Sequence, residues 1–109
     1  MVSSIRTFSP VTLQAARILG SSIRLARRER RWTAQSLAER IGVSPPTLLR
    51  IEKGDPSVGL GVAFEAANIL GVPLFDQDLS SRSLEEIRLD NRLALFPKSV
   101  RKTRIDNDF

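Results

Sequence analysis

From Ser9-Pro10 onward, Leu13, Ala16, Leu19, Ile23 and Ala26 recur at spacings of three and four. That is the mark of one buried helical face. Ser suits the N-cap and Pro the first helical position, so a helix is predicted to about Arg28. Gly20 lies inside it and weakens its continuity by about 1 kcal/mol against Ala. Thr33 is a second N-cap, followed by the short stripe Leu37, Ala38 and Ile41, and Gly42 suits the left-handed residue that ends a helix. Ser44-Pro45-Pro46 opens a third helix, with Ser44 capping the amide of Thr47. The prolines stand where amides lack intrahelical partners anyway. Leu48 and Ile51 face inward, Lys53-Gly54 ends the helix, and Asp55-Pro56-Ser57 forms a turn.

A fourth helix is expected from Ser57, with Leu60, Phe64, Ala67 and Leu70 on one face. Gly59 and Gly61 either weaken its first turn or permit a close backbone approach. Gly71 ends it and Pro73 prevents continuation. Val72, Leu74 and Phe75 then pack under the domain or pair as a short strand. Residues 76–82, DQDLSSR, read as a linker. Ser83-Leu84-Glu85-Glu86 has the capping-box form and predicts a fifth helix stopping before Pro97. Its apolar members Leu84, Ile87, Leu89, Leu93 and Phe96 make no single stripe, so it buries two faces, one against a partner. The remainder reads as a mobile basic tail. The expected fold is all-α: a bundle of four to five helices over residues 9–75, a helical extension over 76–97 and a tail over 98–109.

Composition narrows the chemistry. The chain has 109 residues, 41% apolar and 27% charged, about one domain. It has no Cys, His or Tyr. Thiolate and imidazole metal sites, cysteine nucleophiles and the commonest general base are therefore absent. No paired acidic constellation replaces them, so neither an enzyme nor a cofactor is expected. No apolar run approaches a membrane span, and MVSSIRTFSP lacks a signal-peptide core, which makes a cytoplasmic protein the expectation. The net charge of +5 is uneven. Residues 1–54 carry ten Arg or Lys against three Glu, a balance of +7, whereas residues 55–109 carry seven against nine acids. A basic N-terminal half points to a polyanion, nucleic acid first.

Residues 33–54, TAQSLAERIGVSPPTLLRIEKG, are two short helices about a Gly-centred turn. Ala38 suits a helix crossing where only a small side chain fits. In such a helix-turn-helix the second helix enters the major groove and its N-terminal half meets the base edges.

The stretch LGSSIRLARRERRWTAQSLAERIGVSPPTLLRIEKG resembles the phage-repressor-type (Xre, Cro/repressor-like) helix-turn-helix domain, over about residues 18–73. The coinciding features are an IRxxR segment, T-x-x-x-LA-x-x-IGVS, L-x-R-I-E-K-G and a closing ILGVP. The resemblance implies an all-α bundle that binds double-stranded operator DNA as a homodimer. It also implies an internal ion pair between Arg27 and Glu52, and a core place for Trp32. Where the family often has Gln directly after the capping Thr, this chain has Ala34, and Gln35 follows. Pro45 and Pro46 replace the usual polar base-readers, so base contacts fall to Ser44, Thr47 and Arg50. Leu49 either touches a thymine methyl or is a surface leucine. Arg50 contacts guanine or, failing that, a phosphate. Lys53, Thr33, Gln35 and Ser57 flank the groove as phosphate contacts. The cluster Arg27-Arg28-Glu29-Arg30-Arg31 either lines the DNA backbone, with Arg28 on a phosphate, or is a solvated helix end favoured by the helix dipole. A membrane surface suits it least.

The flanks FSPVTLQAARIL and RRWTAQSLAERIG further resemble antitoxins of the HipB type. That resemblance implies a HipA-like Ser/Thr kinase toxin as a partner and autoregulation of a shared operon. Phe109 then either anchors in a toxin pocket or is a frayed chain end. Two alternatives stand beside this reading: a stand-alone regulator without a toxin, and an interaction module that no longer reads DNA.

Overall fold

The computed structural model describes residues 7–75 and 78–98. Among them five helices follow one another: α1 (Pro10–Glu29), α2 (Ala34–Ile41), α3 (Pro45–Glu52), α4 (Leu60–Leu70) and α5 (Leu79–Leu93). Among the described residues there is no strand. The chain divides into two compact units between Phe75 and Asp76. The fold is the all-α, repressor-like bundle with a helical extension. Residues 99–109, which hold most of the expected tail, lie outside the described residues.

The starts of the first three helices follow from local chemistry. The hydroxyls of Ser9, Thr33 and Ser44 accept from the amides of Thr12, Ser36 and Thr47 at 3.3, 3.0 and 3.3 Å. Each satisfies an amide that the helix itself leaves unpaired. Gly42 ends α2 at φ 77°, and Val43 N–H then donates back to Ala38 O at 3.0 Å. A left-handed residue is needed to turn the chain tightly into α3, and Gly takes that conformation without a Cβ clash.

The core of the first unit is Ile23 of α1, Leu37 and Ala38 of α2, Leu48 and Ile51 of α3, and Ala66, Ala67 and Leu70 of α4. Val72 and Leu74 pack against it rather than pairing as a strand. Ala38 is fully buried where α2 meets the other helices.

Gly20 departs from expectation. It is buried on α1, and a Cβ there would sit 2.7 Å from Glu52 O and also overlap Ile51 O. It is the point where α1 crosses the end of α3 at backbone contact. The penalty expected for Gly inside a helix is the condition for that crossing. Gly54, at φ 83°, lies beside it with Arg17 Cα 2.7 Å from where its Cβ would be.

The fourth helix starts later than expected. Its N-cap is Gly59, without a side-chain bond, and Ser57 belongs to the preceding turn. Leu60 is 68% exposed, so the buried face runs through Ala66, Ala67 and Leu70 instead. Phe64 is half-buried and meets Phe75 edge-on, ring centroids 6.2 Å apart.

In the second unit α5 begins at Leu79. Asp78 is its cap, accepting from Ser81 N–H at 2.7 Å. The segment expected as linker is thus helical from 79 onward, because Asp78 is as good a cap as Ser83 and comes five residues earlier. Ser83 lies inside the helix, so it closes no capping box with Glu86, and Glu85 pairs with Arg88 along the helix. No residue of α5 is buried, and Leu84, Ile87, Leu89 and Leu93 are all exposed.

Candidate nucleic-acid interface

Alternate sides of α3 do different work. Leu48, Ile51 and Glu52 are buried, while Pro45, Pro46, Leu49, Arg50 and the following Lys53 are exposed. The helix therefore stands on its inner side and presents Leu49, Arg50 and Lys53 outward. Leu49 is 42% exposed, a large apolar group beside the charged Arg50.

Two anchors hold α3 in place. One is the apolar contact of Leu48 and Ile51. The other is ionic: Arg27 Nε donates to Glu52 Oε2 at 2.6 Å and Nη2 to Oε1 at 3.0 Å. The third guanidinium nitrogen, Nη1, donates to Trp32 O at 2.8 Å. Both residues are buried, Arg27 at 8% and Glu52 at 4% exposure. The hydrogen bond that Arg27 donates to Glu52 raises the Arg27 pKa further above its ordinary value, against the opposing effect of burial. The pair ties α1, the loop after it and the last turn of α3 together, so the outer face of α3 has a fixed pitch relative to α1.

The arginine cluster splits by role. Arg27 is internal. Arg30 donates to Ile69 O at 2.9 Å and lies 5.4 Å from the centre of the Trp32 ring. Arg40, from α2, stacks over the same ring at 4.0 Å. Trp32 packs against the core and carries cations on its faces, an attractive arrangement for an indole quadrupole. Its ring is thus committed within the bundle. Arg28 and Arg31 are left exposed, Arg31 at φ 60°, in the left-handed turn between α1 and α2.

At the mouth of α2, Thr33 caps the helix and Gln35 is exposed in the first turn. Ser44 lies at the mouth of α3, its hydroxyl 3.0 Å from that of Thr47. The first turn of α2 leaves amides without intrahelical partners at a positive dipole end, whereas α3 opens with two prolines, which have no N–H, and its Thr47 amide is taken by Ser44.

Sequence reading missed one arrangement. Arg50 Nε donates to Asp55 Oδ2 at 2.9 Å, and its Nη2 to Ser57 Oγ at 3.1 Å. Asp55 Oδ1 in turn accepts the Ser57 N–H at 2.8 Å and its hydroxyl at 2.6 Å. The Ser57 bonds, with that of Arg50, lower the Asp55 pKa from its ordinary 3.8 to about 2. Both donors of Ser57 are engaged by Asp55, so as placed it offers no proton to a phosphate. The signal was present: Asp-Pro-Ser is an Asx-turn pattern, and Arg50 stands five residues before it. Phe109 lies outside the described residues.

Basic residues on a protruding, capped helix of a two-helix turn are the geometry of a major-groove reader. A family model described as helix-turn-helix matches residues 23–77, half of the chain. The chain belongs to the helix-turn-helix family. In this helix-turn-helix protein the matched span starts in the middle of α1 and takes in α2, α3 and α4. Membership makes it a DNA-binding transcription regulator in kind. No curated protein and no solved structure matches the chain. Among the described residues of this helix-turn-helix protein, no helix is long and apolar enough to cross a membrane, and no three acidic side chains cluster as a metal site.

Proposed function

We propose that this chain is a sequence-specific repressor that binds double-stranded operator DNA as a homodimer in the cytoplasm. The carrying observation is the outward face of α3, with Leu49, Arg50 and Lys53 exposed while Leu48, Ile51 and the Arg27–Glu52 pair fix the helix from behind. Arg50 reads guanine, Leu49 meets a thymine methyl, and Ser44 and Thr47 complete the base contacts. Thr33, Gln35, Lys53 and Arg28 hold phosphates, which set register without reading sequence. One short recognition helix makes too few contacts for high specificity, which favours two per site.

The same reading extends to a partner. The likeness of FSPVTLQAARIL and RRWTAQSLAERIG to HipB-type flanks supports an antitoxin role toward a HipA-like Ser/Thr kinase, with autoregulation of their operon. The exposed Leu84, Ile87, Leu89 and Leu93 of α5 add to it, because apolar surface on that scale marks an interface.

A mobility-shift assay with the DNA upstream of the chain's own gene, repeated with R50A and K53A, tests the DNA reading. Arg50→Ala relaxes sequence preference, and Lys53→Ala weakens all sequences about equally. No shift with any duplex overturns it in favour of an interaction module, whose support is Pro45 and Pro46. Calorimetry against the product of the adjacent gene tests the partner. With 98–109 deleted, a kinase-like toxin should bind more weakly if Phe109 is its anchor. A neighbour with no kinase fold leaves a stand-alone regulator.

A further inference from the structure

The guanidinium assigned to base reading is held before any DNA arrives. Arg50, Asp55 and Ser57 form a closed ring of side chains, with Arg50 donating to both partners and Ser57 donating twice to Asp55. Asp55 sits in a turn fixed by Val58 N–H donating to its carbonyl at 3.4 Å and by its own N–H donating to Arg50 O at 3.0 Å. The carboxylate is therefore anchored to the backbone at the end of α3, and Arg50 is anchored to it.

The ring engages one edge of the guanidinium, Nε with one proton of Nη2. The other edge stays open, with both protons of Nη1 and the second of Nη2. That open edge presents two parallel N–H donors. Guanine shows two acceptors, O6 and N7, side by side in the major groove, whereas adenine sets a donor next to N7. An unrestrained Arg has considerable rotamer freedom and can turn to a phosphate instead. Held through its inner edge, it meets the groove with its end.

Resting on the DNA-binding reading above, we propose that Asp55 is a specificity-determining positioning residue: it touches no DNA, but aims the open edge of Arg50 at guanine. Asp55 also carries negative charge beside a polyanion. Removing it therefore has two opposite consequences. Guanine preference is lost with the aim of Arg50, and sequence-independent attraction is unchanged or rises with the loss of an acid. A carboxylate that only masked Arg50 would give the second without the first.

The experiment is selection from a randomised duplex pool with the wild-type chain, R50A, D55A and S57A. It is paired with salt titration on a fixed guanine-free duplex and with circular-dichroism melting of each variant. The wild type should enrich guanine at one position per half-site. Arg50→Ala and Asp55→Ala should each reduce that preference by about tenfold. Asp55→Ala should bind the guanine-free duplex as tightly as the wild type or a few-fold tighter. Ser57→Ala keeps the Arg50–Asp55 pair and should lose only part of the preference. It serves as the second test should Asp55→Ala melt early. Full guanine preference in D55A, or weaker binding of the guanine-free duplex by a folded D55A, overturns the proposal. A wild type that binds DNA with no guanine preference overturns it alone. A wild type with no salt-dependent binding overturns the DNA reading and this inference together.

Discussion

Arg27 and Glu52 meet through two parallel hydrogen bonds, at 2.6 and 3.0 Å, although 25 residues separate them in the chain. Their bond joins the end of the first helix to the end of the helix that faces outward. Removing one partner of such a buried pair leaves the other charge uncompensated. Glu52→Ala should cost about 3–5 kcal/mol, which for a domain this small lowers Tm by more than about 10 °C. DNA binding should weaken with it, although Glu52 faces inward. Thermal melting by circular dichroism checks this, and an unchanged Tm would mean that the pair contributes nothing.

Gly20→Ala should destabilise the protein. In an open helix the same change would stabilise by about 1 kcal/mol. Here the new methyl would meet the carbonyls of Ile51 and Glu52, the latter at 2.7 Å, and overpacking of that kind costs about 1–3 kcal/mol. Urea unfolding reads the sign directly. A gain in stability would show that α1 and α3 do not cross at this residue.

Asp55 sets a pH dependence. Its folded pKa, about 2, lies below the ordinary 3.8, chiefly through the bonds from Ser57 and then that from Arg50. The ionised form is thus favoured by folding. The ring stabilises the fold fully above about pH 4 and loses that contribution as pH falls toward about 2. The effect is modest because the ring is solvent-exposed. Asp55→Asn should flatten this part of the acid limb, so the Tm gap between wild type and variant should close as acid is added. A gap independent of pH would remove Asp55 as its source.

Much of this was legible before any coordinates. Ser9, Thr33 and Ser44 announced their helices because capping is a local contact between residues three apart. Leu37, Ala38, Leu48 and Ile51 announced the core because helical period alone sorts them inward. The failures have a common physical cause. Gly20 looks like a weak point along its own helix, and its use is visible only once a second backbone is against it. Ser57 and Asp78 were misjudged because several residues competed for one cap: Asp55 took the Ser57 hydroxyl and amide, and Asp78 capped α5 ahead of Ser83. The turn of the Arg50–Asp55–Ser57 ring was legible in Asp-Pro-Ser, but the return of the Arg50 side chain onto it is not encoded in composition or period. The cluster at 27–31 reads as one basic patch in sequence, yet Arg27 points into the bundle and Arg30 bonds the end of α4.

The central claim is that the basic face of this helix-turn-helix unit binds duplex DNA through its phosphates and reads it through α3. Titrating binding to the upstream duplex against salt tests it most directly. Counterion release makes log affinity fall linearly with log salt, at about 0.9 per phosphate neutralised. A dimer using Arg28, Lys53 and neighbouring basic side chains of each protomer neutralises about 6–8 phosphates, so the expected slope is roughly −5 to −7. Lys53→Ala should make it shallower by about one per protomer bound. A slope near zero, with the wild-type protein folded, would contradict the account.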